Sequence, residues 1–162
     1  MRCFYAFAVI CTGVLSLWTN IGLAAPENTL KPFKTDGCSM WIDGTPNNPY
    51  LWRHCCVVHD KAYWLGGTNQ QRNEADETLR SCVSDLAGAG MGNYMYFFVS
   101  TGGSPFWFTT YRWGYGWNYL ENGRPRGYKN LGESDLLQFK LLEPQADNII
   151  AEDAKTHPAK KK

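Results

Sequence analysis

Two cysteines stand side by side at Cys55-Cys56, and with Cys38 before them and Cys82 after them they restrict this chain more than any other feature. Neighbouring cysteines cannot readily bridge to each other, so each must reach a distant partner. The segment around Cys55 is thereby tied both to the loop carrying Cys38 and to the element carrying Cys82. The residues leave two pairings open, and Cys55–Cys82 with Cys38–Cys56 is the expected one. The remaining cysteines, Cys3 and Cys11, fall in a different context. Arg2 is followed by an apolar run from Phe4 to Trp18, a polar break at Thr19-Asn20 and small residues at Gly22, Ala24 and Ala25. That order belongs to a secretory signal peptide, so residues 1–25 are expected to be removed. The mature protein is then expected to be secreted or periplasmic, in a compartment where disulfides persist.

A chain of 162 residues has room for one ordinary domain. We expect it over 26–142, with 143–162 as a polar, flexible tail and the protein as a monomer. The net charge is +1 and falls to zero once Arg2 leaves, so no basic field is present to hold nucleic acid.

From Pro26 to Tyr50 the chain is rich in Pro, Gly, Asn and Asp and reads as an irregular loop layer. Between Leu51 and Trp64, positions 52, 55, 56, 59, 60 and 63 carry apolar or chemically special residues at helical spacing. Gly66-Gly67 supplies the stop. Thr68 with Gln71 has the form of a capping box, and the helix it starts has Ala75, Leu79, Cys82, Val83 and Leu86 on its inner face. Gly88, Gly90 and Gly92 then mark a hinge or a close helix contact, after which 94–99 is expected to resume as helix with Phe97, Phe98 and Val99 in the core.

His59 and Asp60 are about 100 degrees apart around their helix, so they serve one surface without competing for one position. Asp76 shares a stripe with Leu79 and Val83 and is expected to face inward, where a carboxylate needs a hydrogen-bonding partner; an imidazole on a facing helix is a suitable one.

Cys55-Cys56-x-x-His59-Asp60-x-x-Tyr63 resembles the active-site signature of secreted phospholipase A2 enzymes, and Asp76 with Cys82 is similar to the aspartate and cysteine of that family's second long helix. Thr35-Asp36-Gly37-Cys38-Ser39, followed by Asp43 and Pro49, resembles the calcium loop of the bacterial and fungal branch. Alanine at both 62 and 75, where animal-type enzymes bridge two cysteines, points to the same branch. The likeness spans about Asp36 to Cys82. It implies a mainly α domain with two antiparallel, disulfide-linked central helices behind an N-terminal calcium loop. It further implies Ca2+ held by the Asp36 carboxylate, the Gly37 carbonyl and Asp60, with oxygen donors suited to a hard cation. In that scheme His59 is the general base towards the sn-2 ester of a phospholipid, Asp76 fixes its tautomer and Tyr63 hydrogen-bonds Asp76. The partner is then a phospholipid substrate or a membrane surface.

Competing readings of the same residues are specific. A zinc site from His54, Cys55, Cys56 and His59 has the right residue types, but adjacent side chains diverge on a helix and export favours disulfides. Asp43 is either an added calcium ligand or part of a turn. Aromatics make up 15% of the chain and crowd between Tyr94 and Tyr119, more than chance placement gives. Of these, Trp107, Trp113, Tyr115 and Trp117 are candidates for lipid contact at an interface. The alternative function is a catalytically silent lipid- or protein-binding module on the same fold.

Overall fold

The structure, a computed structural model, describes residues 28–160; the expected signal peptide lies outside them. Its elements run α1 (Arg53–Leu65), α2 (Asn69–Ala87), α3 (Ala89–Gly102), β1 (Leu120–Glu121), β2 (Arg124–Pro125) and α4 (Glu133–Thr156). The domain is mainly helical, as expected, with turns and bends over 28–52.

Helix α1 buries Cys55, Cys56, His59 and Tyr63 towards α2 and α3 while Val57 and Trp64 are buried away from them. It is covered on two sides, which explains why so short a helix holds so many buried residues. Gly66 ends it at φ +74, and a Cβ there would lie 2.7 Å from the Gly114 Cα, so only glycine allows this close backbone approach. Helix α2 starts at the expected capping box: the Gln71 amide donates to the Thr68 hydroxyl and the Thr68 amide donates to the Gln71 side chain. Such a cap contributes about 1 kcal/mol.

The two helices are antiparallel in register. Cys55 is bonded to Cys82, His59 meets Asp76, and Tyr63 meets Arg72, so each step forward on α1 is a step back on α2. The second disulfide joins Cys38 to Cys56, which completes the expected pairing and anchors the preceding loop to the same helix. Of the three glycines after α2, Gly88 terminates it at φ +87 and Gly92 makes the close contact. A Cβ on Gly92 would sit 2.5 Å from the Arg80 carbonyl, whereas Gly90 has open space around it. Helix α3 folds back along α2 by that contact. The small β1–β2 hairpin turns at Asn122-Gly123, both at positive φ, a pair suited to a two-residue turn.

Three expectations are corrected. The stretch from 143 onward, expected as a flexible tail, continues α4 to Thr156 and packs antiparallel on α1. Its polar sequence hid a single buried stripe: Ala146 is fully enclosed, Lys61 pairs with Asp147 (2.6 Å) and Glu143 (3.1 Å), and Arg53 pairs with Asp153 (2.7 Å). Phe97 and Phe98, expected in the core, are 61% and 52% exposed, because α3 presents Gly92, Met95 and Val99 to α2 instead. Trp113 and Trp117, expected at a lipid surface, are 2% and 1% exposed. Their indole N–H groups donate to the carbonyls of Gly67, just past α1, and Leu65, its last residue. The glycines between them do not open a slot; they let the segment lie against α1, where a Cβ on Gly116 would collide with Trp64.

Candidate functional site

The centre of α1 and the centre of α2 meet at His59 and Asp76. His59 Nε2 lies 2.9 Å from Asp76 Oδ1, and both side chains are buried. With a carboxylate as partner, the neutral ring carries its proton on Nε2 and leaves Nδ1 as the acceptor. The Tyr63 hydroxyl donates to the same Asp76 oxygen at 2.7 Å, and its ring stands 4.2 Å from the imidazole, centroid to centroid. Burial holds the phenol well above its ordinary pKa, and the Asp76 charge adds to this, so Tyr63 stays a donor. All three sequence-predicted residues of this group are therefore brought together.

A fourth member was missed from the sequence. Arg72 is buried, and its Nε donates to the Tyr63 hydroxyl (3.1 Å) while Nη2 donates to the Val99 carbonyl (3.0 Å) and to that of Ser100. Nη1 donates to Tyr128 (2.7 Å), and Nη2 stands 3.7 Å from Asp76 Oδ2. The available signal was its position four residues before Asp76 on the inward stripe, which sets an arginine beside a carboxylate on one helix face. It ties the C-terminal end of α3 to the His59–Asp76 pair and offsets the buried negative charge.

Asp60 lies one residue on and faces the loop. The Thr35 hydroxyl donates to its Oδ2 at 2.7 Å and accepts from the Gly37 amide at 3.1 Å, so Thr35, also unassigned from the sequence, links loop and helix. Burial raises the Asp60 pKa to about 7; the neighbouring Asp36 and Asp43 carboxylates push the same way, against the Thr35 hydrogen bond and Arg53. Asp60 forms no ion pair with a protein cation among the described residues, and Asp36, with Ser39 donating to its Oδ1 at 2.8 Å, is exposed beside it. A half-buried carboxylate without an ion-pair partner, close to a second carboxylate, is a donor set that fits a hard divalent cation.

Gly37 sits at φ +88 with Arg53 and Asp43 filling the space a side chain would need. Asp43 itself is not a candidate ligand: Oδ1 accepts from the Cys38 amide (2.7 Å) and Oδ2 is paired with Arg53 (2.6 Å). Arg53 also donates to the Asp36 carbonyl (3.0 Å), so one buried guanidinium fixes the loop that bears Asp36 and Gly37. His54 lies within 3.6 Å of the Cys55 and Cys82 sulfurs, but both are consumed in a disulfide, which removes the thiolates a zinc site needs.

His59, Asp60, Tyr63 and Gly37 open into a cleft of about 440 Å³ whose farther wall is Leu79, Met95, Phe98 and Val99. Its rim is aromatic. Trp41, Tyr94 and Phe98 contact one another with centroids 4.7 to 6.5 Å apart, and Met40 and Ile42 beside Trp41 are exposed. Of the four expected lipid contacts, Trp107 alone is widely exposed, and Tyr115 lies half-buried in a neighbouring recess. The exposed ring surface at the cleft mouth comes instead from the loop at Trp41 and from α3. No family model, curated protein or solved structure matches this chain.

Proposed function

We propose that the protein is an exported, calcium-dependent phospholipase A2-like hydrolase that releases a fatty acid from glycerophospholipids. The observation that carries this reading is the buried chain Tyr63–Asp76–His59, which ends on a ring nitrogen at the floor of an apolar cleft with Asp60 beside it. His59 Nδ1 takes the proton of a water as that water attacks the ester carbonyl. Asp76 holds the imidazole in the tautomer that makes Nδ1 basic and favours the imidazolium as it forms. Tyr63 and Arg72 keep the Asp76 carboxylate oriented, and Leu79, Met95 and Val99 receive the acyl chain and exclude bulk water. Asp60, Asp36 and the Gly37 carbonyl would hold calcium, which when bound supplies positive charge against the phosphate and the developing oxyanion.

Two further observations support the reading. The exposed apolar rim of Met40, Trp41, Ile42 and Phe98 suits an aggregated lipid substrate, because amphipathic rings favour a membrane interface. Two disulfides suit an oxidising compartment, and no described helix is long and apolar enough to cross a membrane. The test is fatty-acid release from phosphatidylcholine vesicles by the mature chain. Release with calcium that a chelator abolishes is expected; equal release in both conditions, or none in either, would remove the proposal.

A further inference from the structure

Resting on that reading, we infer that the site selects phospholipids with an anionic headgroup, through Lys31 and Lys34 in a second recess that begins where the apolar cleft ends. This recess has a volume of about 600 Å³ and shares Ser39, Asp60 and Tyr111 with the cleft. Beyond those residues it is walled by Lys31, Lys34, Thr35, Asp36, Thr110 and Tyr115, which set charges and hydroxyls into a surface that is otherwise largely apolar. The two spaces meet at Asp60 and differ in charge, the cleft being lined by no lysine and the recess by two. With the ester carbonyl at His59 and the acyl chain among Leu79, Met95 and Val99, the headgroup passes Asp60 into the second recess.

Charge within that recess decides which headgroup fits. Asp36 and Asp60 are matched by a divalent cation. Lys31 and Lys34 pair with no carboxylate among the described residues, so two positive charges remain in excess. A phosphodiester supplies one negative charge. A glycerol headgroup preserves that charge, whereas choline cancels it with a cation directed towards the lysines. The backbone that carries both lysines is fixed: the Lys31 amide donates to the Gly116 carbonyl (2.8 Å), Trp64 donates to the Lys31 carbonyl (2.7 Å) and Tyr115 donates to the Lys34 carbonyl (2.7 Å). The preference is local, since the chain as a whole carries a net charge of only +1.

The experiment uses dihexanoyl-phosphatidylglycerol and dihexanoyl-phosphatidylcholine below their micelle concentrations, which separates the site from general attraction to a charged surface. With calcium, kcat/KM is expected to favour the glycerol headgroup roughly tenfold, the scale of one or two screened charge contacts. The Lys31→Gln/Lys34→Gln double variant brings the ratio to about one, while Lys140→Gln on α4 leaves it unchanged. Calorimetry with non-hydrolysable diether analogues of the two lipids in calcium gives a second readout, and the same preference and the same loss are expected. A ratio near one in the wild type, or a preference that survives the double variant, overturns the inference. Headgroup-selective binding of the diethers without turnover of either ester upholds it and removes the hydrolase reading. Turnover of both esters at equal rates does the reverse.

Discussion

The stapled helix pair α1–α2 and the aromatic segment 106–119 use similar bulky residues and come to opposite relations with the sequence. In the helix pair, periodicity, caps and two bridges all act on the same few turns, so side chains at 55, 56, 59, 63, 76 and 79 face where their spacing says. In 106–119 no period is present, and burial follows contact with the C-terminal end of α1. Trp113 and Trp117 pack against Tyr63 and Trp64 and donate to the Gly67 and Leu65 carbonyls, while Phe106, Phe108 and Trp107, whose indole donates to the Thr101 carbonyl, remain exposed. Aromatic density alone therefore does not locate a lipid surface; packing against Tyr63 and Trp64 of α1 separates the core rings from the exposed ones.

That contrast is most sharply broken or upheld by paired truncations. Trp117→Ala is expected to lower stability by about 3–5 kcal/mol in urea unfolding, the range for removing a large buried ring. Phe98→Ala, with its ring half in solvent, is expected to cost under about 1 kcal/mol, although the sequence placed Phe98 in the core and Trp117 at a lipid surface. Equal costs would mean that the two regions do not differ as described. In the stapled pair, replacing Cys55 and Cys82 together by serine opens a loop spanning 27 residues and is expected to cost about 3 kcal/mol by the same measurement.

The charge pattern around Asp60 gives a pH signature. Its pKa is raised by burial to about 7 in the fold, above the ordinary carboxylate value, so the stabilising form is the protonated one. Without calcium, stability is then full below about pH 4 and declines as pH rises through about 7, by on the order of a few kcal/mol. Asp60→Asn should flatten that slope in thermal melts, and calcium should restore stability at neutral pH because cation and proton compete for one carboxylate. A modest effect is expected from Tyr63→Phe, which removes one donor from Asp76 while Arg72 remains: about 1 kcal/mol in stability, read by the same urea titration.

How much of this was legible follows from the same physics. The His59–Asp76 contact could be read because a helical stripe, an inward carboxylate and a bridge six residues later agree. For Arg72 only its place on the Asp76 stripe was visible, and for Thr35 nothing was, since their roles come from contacts with the Val99 and Ser100 carbonyls, Tyr128 and the Asp60 carboxylate across the fold. Helix α4 escaped because its apolar side is only partly buried at Phe139, Leu142, Ile149 and Ile150 around Ala146, and its ion pairs with α1 look like solvated charges in a sequence. The exposure of Phe97 and Phe98 was hidden for a related reason: Gly92, the smallest residue available, is what α3 turns towards α2.

The most direct test of the proposed chemistry is calcium-dependent turnover by His59→Gln, measured beside its thermal melt. Glutamine cannot act as a base near neutral pH, so kcat is expected to fall roughly 10³-fold or more, within the span of general-base contributions, while the melting temperature moves by only a few degrees. Unchanged turnover in a folded His59→Gln protein would contradict the assignment of His59 as the base.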